Sequence, residues 1–135
     1  MAQLQTYERK NLYKDFDISF SVNPITGDLG TKTDANAINQ SLKNIINTNF
    51  FERPFQPLFG GNIRALLFEL ADPITINDLK TNIESVIDNY EPRVAVDFVR
   101  VDDLSDQNAY HITIQYRIVK SSIVNTFETV LKRLR

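Results

Sequence analysis

The stretch Tyr110-His111-Ile112-Thr113-Ile114-Gln115-Tyr116-Arg117-Ile118 alternates large apolar and polar side chains without a break. Strict period two places Tyr110, Ile112, Ile114, Tyr116 and Ile118 on one face and His111, Thr113, Gln115 and Arg117 on the other, which predicts a half-buried strand over 109–119. Upstream, the valine-rich segment 94–102 reads as a second strand, and the polar run Val101 to Asn108 as the hairpin turn between them. A strand pair with one apolar face must be covered, so the rest of the chain has to supply the cover.

Helical spacing supplies it. After Asp34, placed to cap a helix, Ile38, Leu42, Ile45 and Ile46 fall at i, i+4, i+7 and i+8. Asn62 can start a short helix carrying Ile63, Leu66, Leu67 and Leu70, broken at Asp72-Pro73. Thr75 and Asp78 resemble a capping box for a helix running to Tyr90, with Leu79, Ile83, Val86, Ile87 and Tyr90 on its apolar stripe and Pro92 as its stop. In the tail, Val124, Phe127, Val130, Leu131 and Leu134 read as a last helix, with Lys132, Arg133 and Arg135 suited to its C-terminus. Near the start, Phe16, Ile18, Phe20 and Val22 alternate with polar residues as a strand, Asn23 to Asp28 form a turn, and a short strand near 28–32 completes a hairpin. The expectation is an α+β fold, a small antiparallel sheet of hairpins packed against about four helices, in a single domain over 1–135 with 1–14 a polar leader.

The segment 49–61 cannot be regular, because Pro54, Pro57, Gly60 and Gly61 interrupt it. It nevertheless carries Phe50, Phe51, Phe55 and Phe59. A loop so aromatic is pinned to the core or covered by a partner. The reading adopted is that Arg53, Pro54, Phe55, Phe59 and Gly60 anchor it, with the Phe55 and Phe59 rings buried.

Catalytic chemistry finds little support. The chain has no cysteine, which removes disulfides, thiolate metal sites and cysteine nucleophiles. His111 is the only histidine and sits on the polar face of its strand, so an exposed or hydrogen-bonded side chain explains it better than a ligand does. Asp102, Asp103 and Asp106 lack the glycine and spacing of a calcium loop. Gly60-Gly61 lacks the Lys-Ser/Thr of a phosphate loop. Carboxylate pairs can be drawn among Glu52, Glu69, Glu84, Glu91 and Glu128, but 17 acids make such pairs trivial, and the tryptophan common in sugar clefts is absent. No metal or other cofactor is expected. A net charge of −2 gives no field toward nucleic acid or membrane, and the polar start and lack of a long apolar run predict no signal peptide and no membrane span. Glu91-Pro92-Arg93 sits where a helix hands over to a strand, either as a helix stop with a surface ion pair or as a rigid corner for charge-assisted contact with a partner.

Several stretches together resemble the baseplate wedge and sheath-initiator family of contractile tails, known from T-even phages and related to a type VI secretion baseplate protein. They are Asp17 to Phe20 with Asn23 to Asp28, the helix from Ala37 to Ile46, Glu52-Arg53-Pro54-Phe55-Gln56-Pro57-Leu58-Phe59-Gly60-Gly61 leading into Leu66 to Glu69, and Asn82 to Val94 with its Tyr-Glu-Pro-Arg. The resemblance implies a structural, non-enzymatic component of the virion's tail baseplate, made in the bacterial host cytoplasm. It implies that Glu91, Pro92 and Arg93 bind other baseplate wedge proteins, so that replacing Glu91 or Arg93 leaves the free chain folded and blocks assembly. It further implies that the sheet, around 94–119, accepts a strand from the tail sheath protein. A monomer when free and six copies per assembled baseplate are expected, with neither nucleic acid nor membrane as partner. The alternatives are a muralytic, lysozyme-like tail hydrolase and the equivalent subunit of a type VI secretion system.

Overall fold

The computed structural model describes residues 11–133. The first ten residues of the expected leader and the tail residues Leu134 and Arg135 lie outside them. The chain divides into two compact units, one up to Ala37 and one from Ile38 onward.

In the first unit, β1 (Lys14–Phe16) pairs antiparallel with β2 (Thr31–Thr33), Phe16 opposite Thr31. The alternation from Phe16 to Val22 does not make a continuous strand. The Asp17 carboxylate accepts from the Ser19 amide at 3.0 Å and the Ser21 hydroxyl at 3.3 Å, Phe20 turns to a φ of 51°, and only an isolated bridge between Val22 and Leu29 follows. A short acceptor side chain here competes with the ladder and wins. Phe16, Ile18, Phe20 and Val22 are all exposed. Asp34 begins α1 (Asp34–Asn47), and its carboxylate accepts from the Leu12 and Tyr13 amides at 2.8 and 3.1 Å.

In the second unit the sheet order is β3-β4-β5, antiparallel throughout. β3 (Val94–Leu104) and β4 (Ala109–Ile118) are joined by one 3-10 turn at Ser105–Gln107. β5 (Val124–Lys132) is a strand where helical spacing had predicted a helix, so the described fold has three helices and not four. Its inward residues are Phe127 and Leu131, opposite Ile114 and Tyr110, and the intervening Asn125 and Thr129 share that face. Val124 and Val130, assigned to the helical stripe, are exposed on the other face.

Tyr110, Ile112, Ile114, Tyr116 and Ile118 are buried, as their alternation predicts. The helices cover them. Ile38, Leu42, Ile45 and Ile46 of α1 are buried, as are Leu79, Ile83, Val86 and Ile87 of α3 (Pro73–Tyr90), which packs against β3. Burial of each such side chain contributes on the order of 1.5–3 kcal/mol. Between them lies α2 (Ile63–Leu66), a single turn. Asp72, and not Thr75, caps α3. Its carboxylate accepts from the Thr75 amide at 2.7 Å, and Pro73 takes the first helical position, where no amide is needed. Among the described residues no helix is long and apolar enough to cross a membrane.

Candidate functional site: a groove and an open strand edge

The Glu-Pro-Arg corner lies where α3 ends. The Glu91 amide donates to the Ile87 carbonyl at 2.8 Å, and Pro92 prevents another turn. Glu91 is turned inward, its side chain only 3% exposed. Arg93 grips it with two parallel bonds, Nε to Oε1 at 2.7 Å and Nη2 to Oε2 at 2.8 Å. The Ser41 hydroxyl of α1 donates to the same Oε2. Burial pushes the Glu91 carboxyl up, but the bonds from Arg93 and Ser41 and the Arg93 charge outweigh it and hold the group below the usual glutamate value. Pro92 is exposed and Arg93 half-buried. The corner is therefore internally braced on one side and open on the other.

The 49–61 loop is fixed differently from expectation. Phe55 is fully exposed and does not anchor it. Phe51 and Phe55 take φ values of 66° and 64°, a region that non-glycine residues occupy only under strain. The loop is held by polar and ring contacts: Tyr90 Oη donates to the Leu58 carbonyl at 2.7 Å, the Phe59 and Tyr90 rings lie 4.7 Å apart, and the Arg53 guanidinium stands 4.3 Å over Phe59. Phe59 is half-buried by these contacts. Gly60 has a φ of 102°, and a Cβ there would come within 2.2 Å of the Thr48 carbonyl oxygen, so no side chain fits. Glu52 accepts from the Asn49 amide and side chain at 2.9 and 2.8 Å, and the amide bond is the main reason its carboxyl is held low.

The two signatures, far apart in sequence, line one groove of about 630 Å³. Glu52, Arg53, Pro54 and Phe59 come from one, Tyr90 to Arg93 from the other, and Ser41, Asn44 and Thr48 from α1 and its end. Phe55 and Gly60 do not line it. Sequence reasoning missed Ser41, although it sits one step from the Ile38–Leu42–Ile45 stripe and so at the margin of the buried face.

The sheet offers a second feature. β4 is central and paired on both sides, so of the region 94–119 only β3 has an outer edge. The other outer edge belongs to β5. The Arg133 amide donates to the Asn108 carbonyl at 2.8 Å, which makes 108 and 133 a hydrogen-bonded pair. Such pairs recur every second residue, so Asn125, Phe127, Thr129 and Leu131 bond to β4. The amides and carbonyls of Val124, Thr126, Glu128, Val130 and Lys132 point away from the sheet, and among the described residues no strand pairs with them.

No group of three histidine or acidic side chains close enough to hold a metal occurs among the described residues. His111 stands on the open face with Nε2 3.7 Å from Glu128.

Residues 32–122 match the family model for baseplate wedge protein gp25. The baseplate wedge protein gp25 of Enterobacteria phage T4 is 32% identical over 108 residues, 80% of this chain and 81% of its own. Among solved structures, a Geobacter sulfurreducens chain provisionally described as a tail lysozyme aligns with a TM-score of 0.68 at 20% identity, over 73% of this chain and 89% of that one. A chain of the anti-feeding prophage baseplate aligns at 0.62 and 20% identity, over 91% and 87%. One from the postcontracted pyocin R2 baseplate aligns at 0.53 and 15% identity, over 83% and 96%. At these identities the structural likenesses establish the fold alone. The family match and the T4 relative establish more: this chain belongs to the gp25 family of baseplate wedge proteins.

Proposed function

We propose that the chain is a structural component of a contractile tail baseplate that docks on wedge partners through the groove and starts the first ring of tail sheath through the β5 edge. The observation that carries the reading is the convergence of the Arg53–Phe59 loop and the Glu91–Arg93 corner on one groove. Pro92 fixes the backbone, and Glu91 holds Arg93 in place before any partner arrives, so less entropy is lost on docking. In this reading Arg93, Pro92 and Arg53 face the partner, and Glu91 and Ser41 orient Arg93 from behind. The open β5 edge suits strand addition, in which main-chain bonds give affinity and alternate side chains set the fit. Six copies per baseplate accord with the six-fold symmetry of the anti-feeding prophage baseplate.

A muralytic reading has one observation in its favour, since Glu52 and Glu91 both line the groove. The chemistry argues against it. A glycosidase needs one carboxylic acid with a raised pKa as proton donor, and here both groups are held low. Clearing of peptidoglycan that is lost with Glu52→Gln would reverse this conclusion.

Reconstitution tests the two halves separately. Arg53 is exposed, and the Tyr90 contacts to Leu58 and Phe59 still hold the loop without it, so Arg53→Glu should leave the free chain folded and reduce its incorporation into the wedge by more than about tenfold, the scale of a lost charged interface contact. Thr126→Pro removes one outward amide without touching the β4 ladder. It should enter the wedge normally and fail to recruit sheath. Normal assembly of both variants would remove the proposed roles.

A further inference from the structure

A second groove, of about 360 Å³, opens at the end of the β5 edge. Val130, Leu131 and Lys132 of β5 form one side, and Ile46 and Asn47 of α1 with Ile63 and Arg64 of α2 and Leu67 just after it form the other. Its floor is apolar and buried: Ile46, Ile63, Leu67 and Leu131 are each less than a tenth exposed. Its rim is polar and exposed, with Asn47, Arg64 and Lys132.

Register ties this groove to the strand edge. Directly opposed residues of neighbouring strands share a face of the sheet. A strand paired on β5 would therefore place the residue opposite Leu131 on the helix-covered face, about 4.8 Å beyond Leu131. That is the face and the side on which the groove opens. The backbone groups of Val130 and Lys132, which flank that position, are among those directed outward. The helices thus overhang the edge and leave a recess where a further strand would bring a side chain.

Resting on the edge-pairing role proposed above, we infer that this groove is a side-chain socket that selects the incoming sheath strand, taking a large apolar residue opposite Leu131 with a carboxylate residue two positions away on the same face. The apolar floor sets the first requirement. The Arg64 charge at the rim, on the helix side, sets the second, because a like charge there would be repelled and an acidic one attracted. Main-chain pairing alone accepts almost any extended segment, and a socket of this kind adds the discrimination it lacks.

The test uses the full chain and the sheath protein of the same tail. Asn47→Trp fills the mouth of the groove and Arg64→Glu reverses its rim. Both positions are exposed, so thermal midpoints of the free variants should match the parent. Each variant should weaken sheath capture by about tenfold or more while wedge incorporation is unchanged. A benzophenone photocrosslinker placed at Asn47 should join to an apolar segment of the sheath that is flanked by Asp or Glu. If Thr126→Pro abolishes capture but both groove variants capture sheath like the parent, the socket is wrong and the edge role stands. If Thr126→Pro itself captures sheath normally, the edge role fails and the socket falls with it. A crosslink from Asn47 that forms only within the same chain would also overturn the inference, since one of its own segments would then fill the groove.

Discussion

Arg93→Ala offers the sharpest test of how the Glu-Pro-Arg corner is built. In the parent, the Glu91 carboxylate is almost wholly buried and held by two bonds from Arg93 and one from Ser41. Removing the Arg93 side chain leaves a buried negative charge with neutral donors only, the Ser41 hydroxyl and the backbone amide of residue 93. Breaking a buried pair in this way costs about 3–5 kcal/mol when water is excluded. Arg93 is 23% exposed and borders an open groove, so water can reach the vacated space and a loss of about 2–3 kcal/mol is expected. For a domain of this size that is roughly a 10 °C fall in the thermal midpoint. The pH dependence fixes the cause. In the parent, Glu91 lies below its ordinary value of 4.5, so its contribution is present above that pH and lost as pH falls through the lower folded value. In the variant, burial is opposed only by Ser41 and the backbone amide of residue 93, and the carboxyl moves up. The folded variant then takes up its proton more readily than the unfolded chain, and its deficit shrinks as pH falls from 7 toward 4.5. Urea melts of both proteins across that range measure the gap. Adding Glu91→Gln to the variant should recover most of the loss, because the uncompensated charge is gone. A midpoint within about 2 °C of the parent at pH 7, or a gap that does not narrow in acid, would refute the brace. The expectation that such a variant stays folded and fails in assembly is compatible with a lowered midpoint, and the inward turn of Glu91 is the reason to expect that lowering.

Two further outcomes follow from the same unit. Burial, and after it the Glu91 charge, push Tyr116 up to about 12 from its ordinary 10.0, and its hydroxyl donates to Asn39 Oδ1 at 2.6 Å. Its contribution is complete below the unfolded value and lost as pH rises through the folded one, so parent stability should fall by about 1.4 kcal/mol per pH unit above pH 10 relative to Tyr116→Phe, as read by urea melts. Gly60→Ala should destabilise by more than about 1 kcal/mol, because its φ is 102° and the added Cβ meets the Thr48 carbonyl. An alanine variant as stable as the parent would mean that the loop has freedom the geometry denies.

What the sequence made legible depended on how many independent signals agreed at each place. Over 109–118, alternation, β-branched and aromatic composition and flanking turn residues all point to a half-buried strand, and the strand is there. The α1 and α3 stripes were legible for the same reason, since a four-residue rhythm over three or more turns has no strand alternative. β5 was not legible. Phe127 and Leu131 are four apart, a spacing compatible with one helix face and equally with alternate inward positions of a strand whose other inward residues, Asn125 and Thr129, are polar. The β-branched content of Val124, Thr126, Thr129 and Val130 was the signal that could have decided it. The groove shows the same division. The Glu91–Arg93 corner and the Arg53–Phe59 loop stand out by composition, but their convergence depends on tertiary contacts, among them Tyr90 with Leu58 and Ser41 with Glu91, that no local pattern encodes. Phe55 was misread because composition says that a phenylalanine should be covered without saying by what.

The two outer edges of the three-stranded sheet are not equivalent, and the difference bears on which of them suits the proposed strand addition. Natural edge strands are blunted by bulges, charges, proline or a covering helix. β3 shows one of these devices clearly. Its register shifts between Val96 and Phe98, where Asp97 is gripped by Arg117 with contacts of 2.6 to 3.0 Å. β5 does not. It pairs regularly with β4 from Val124 to Lys132, with no bulge and no proline, and exposes Val124 and Val130 beside its open backbone groups. Glu128 and Lys132 are the only charges along it, and neither points into the core. A regular edge of that length, with two charges and no described strand paired to it, invites pairing with an extended segment. Selection would be expected to blunt it unless pairing there is its use. The asymmetry between β3 and β5 is thus a physical reason, independent of any relative, for placing strand addition at β5 and for expecting a recognition element such as the adjacent groove to restrict what may pair.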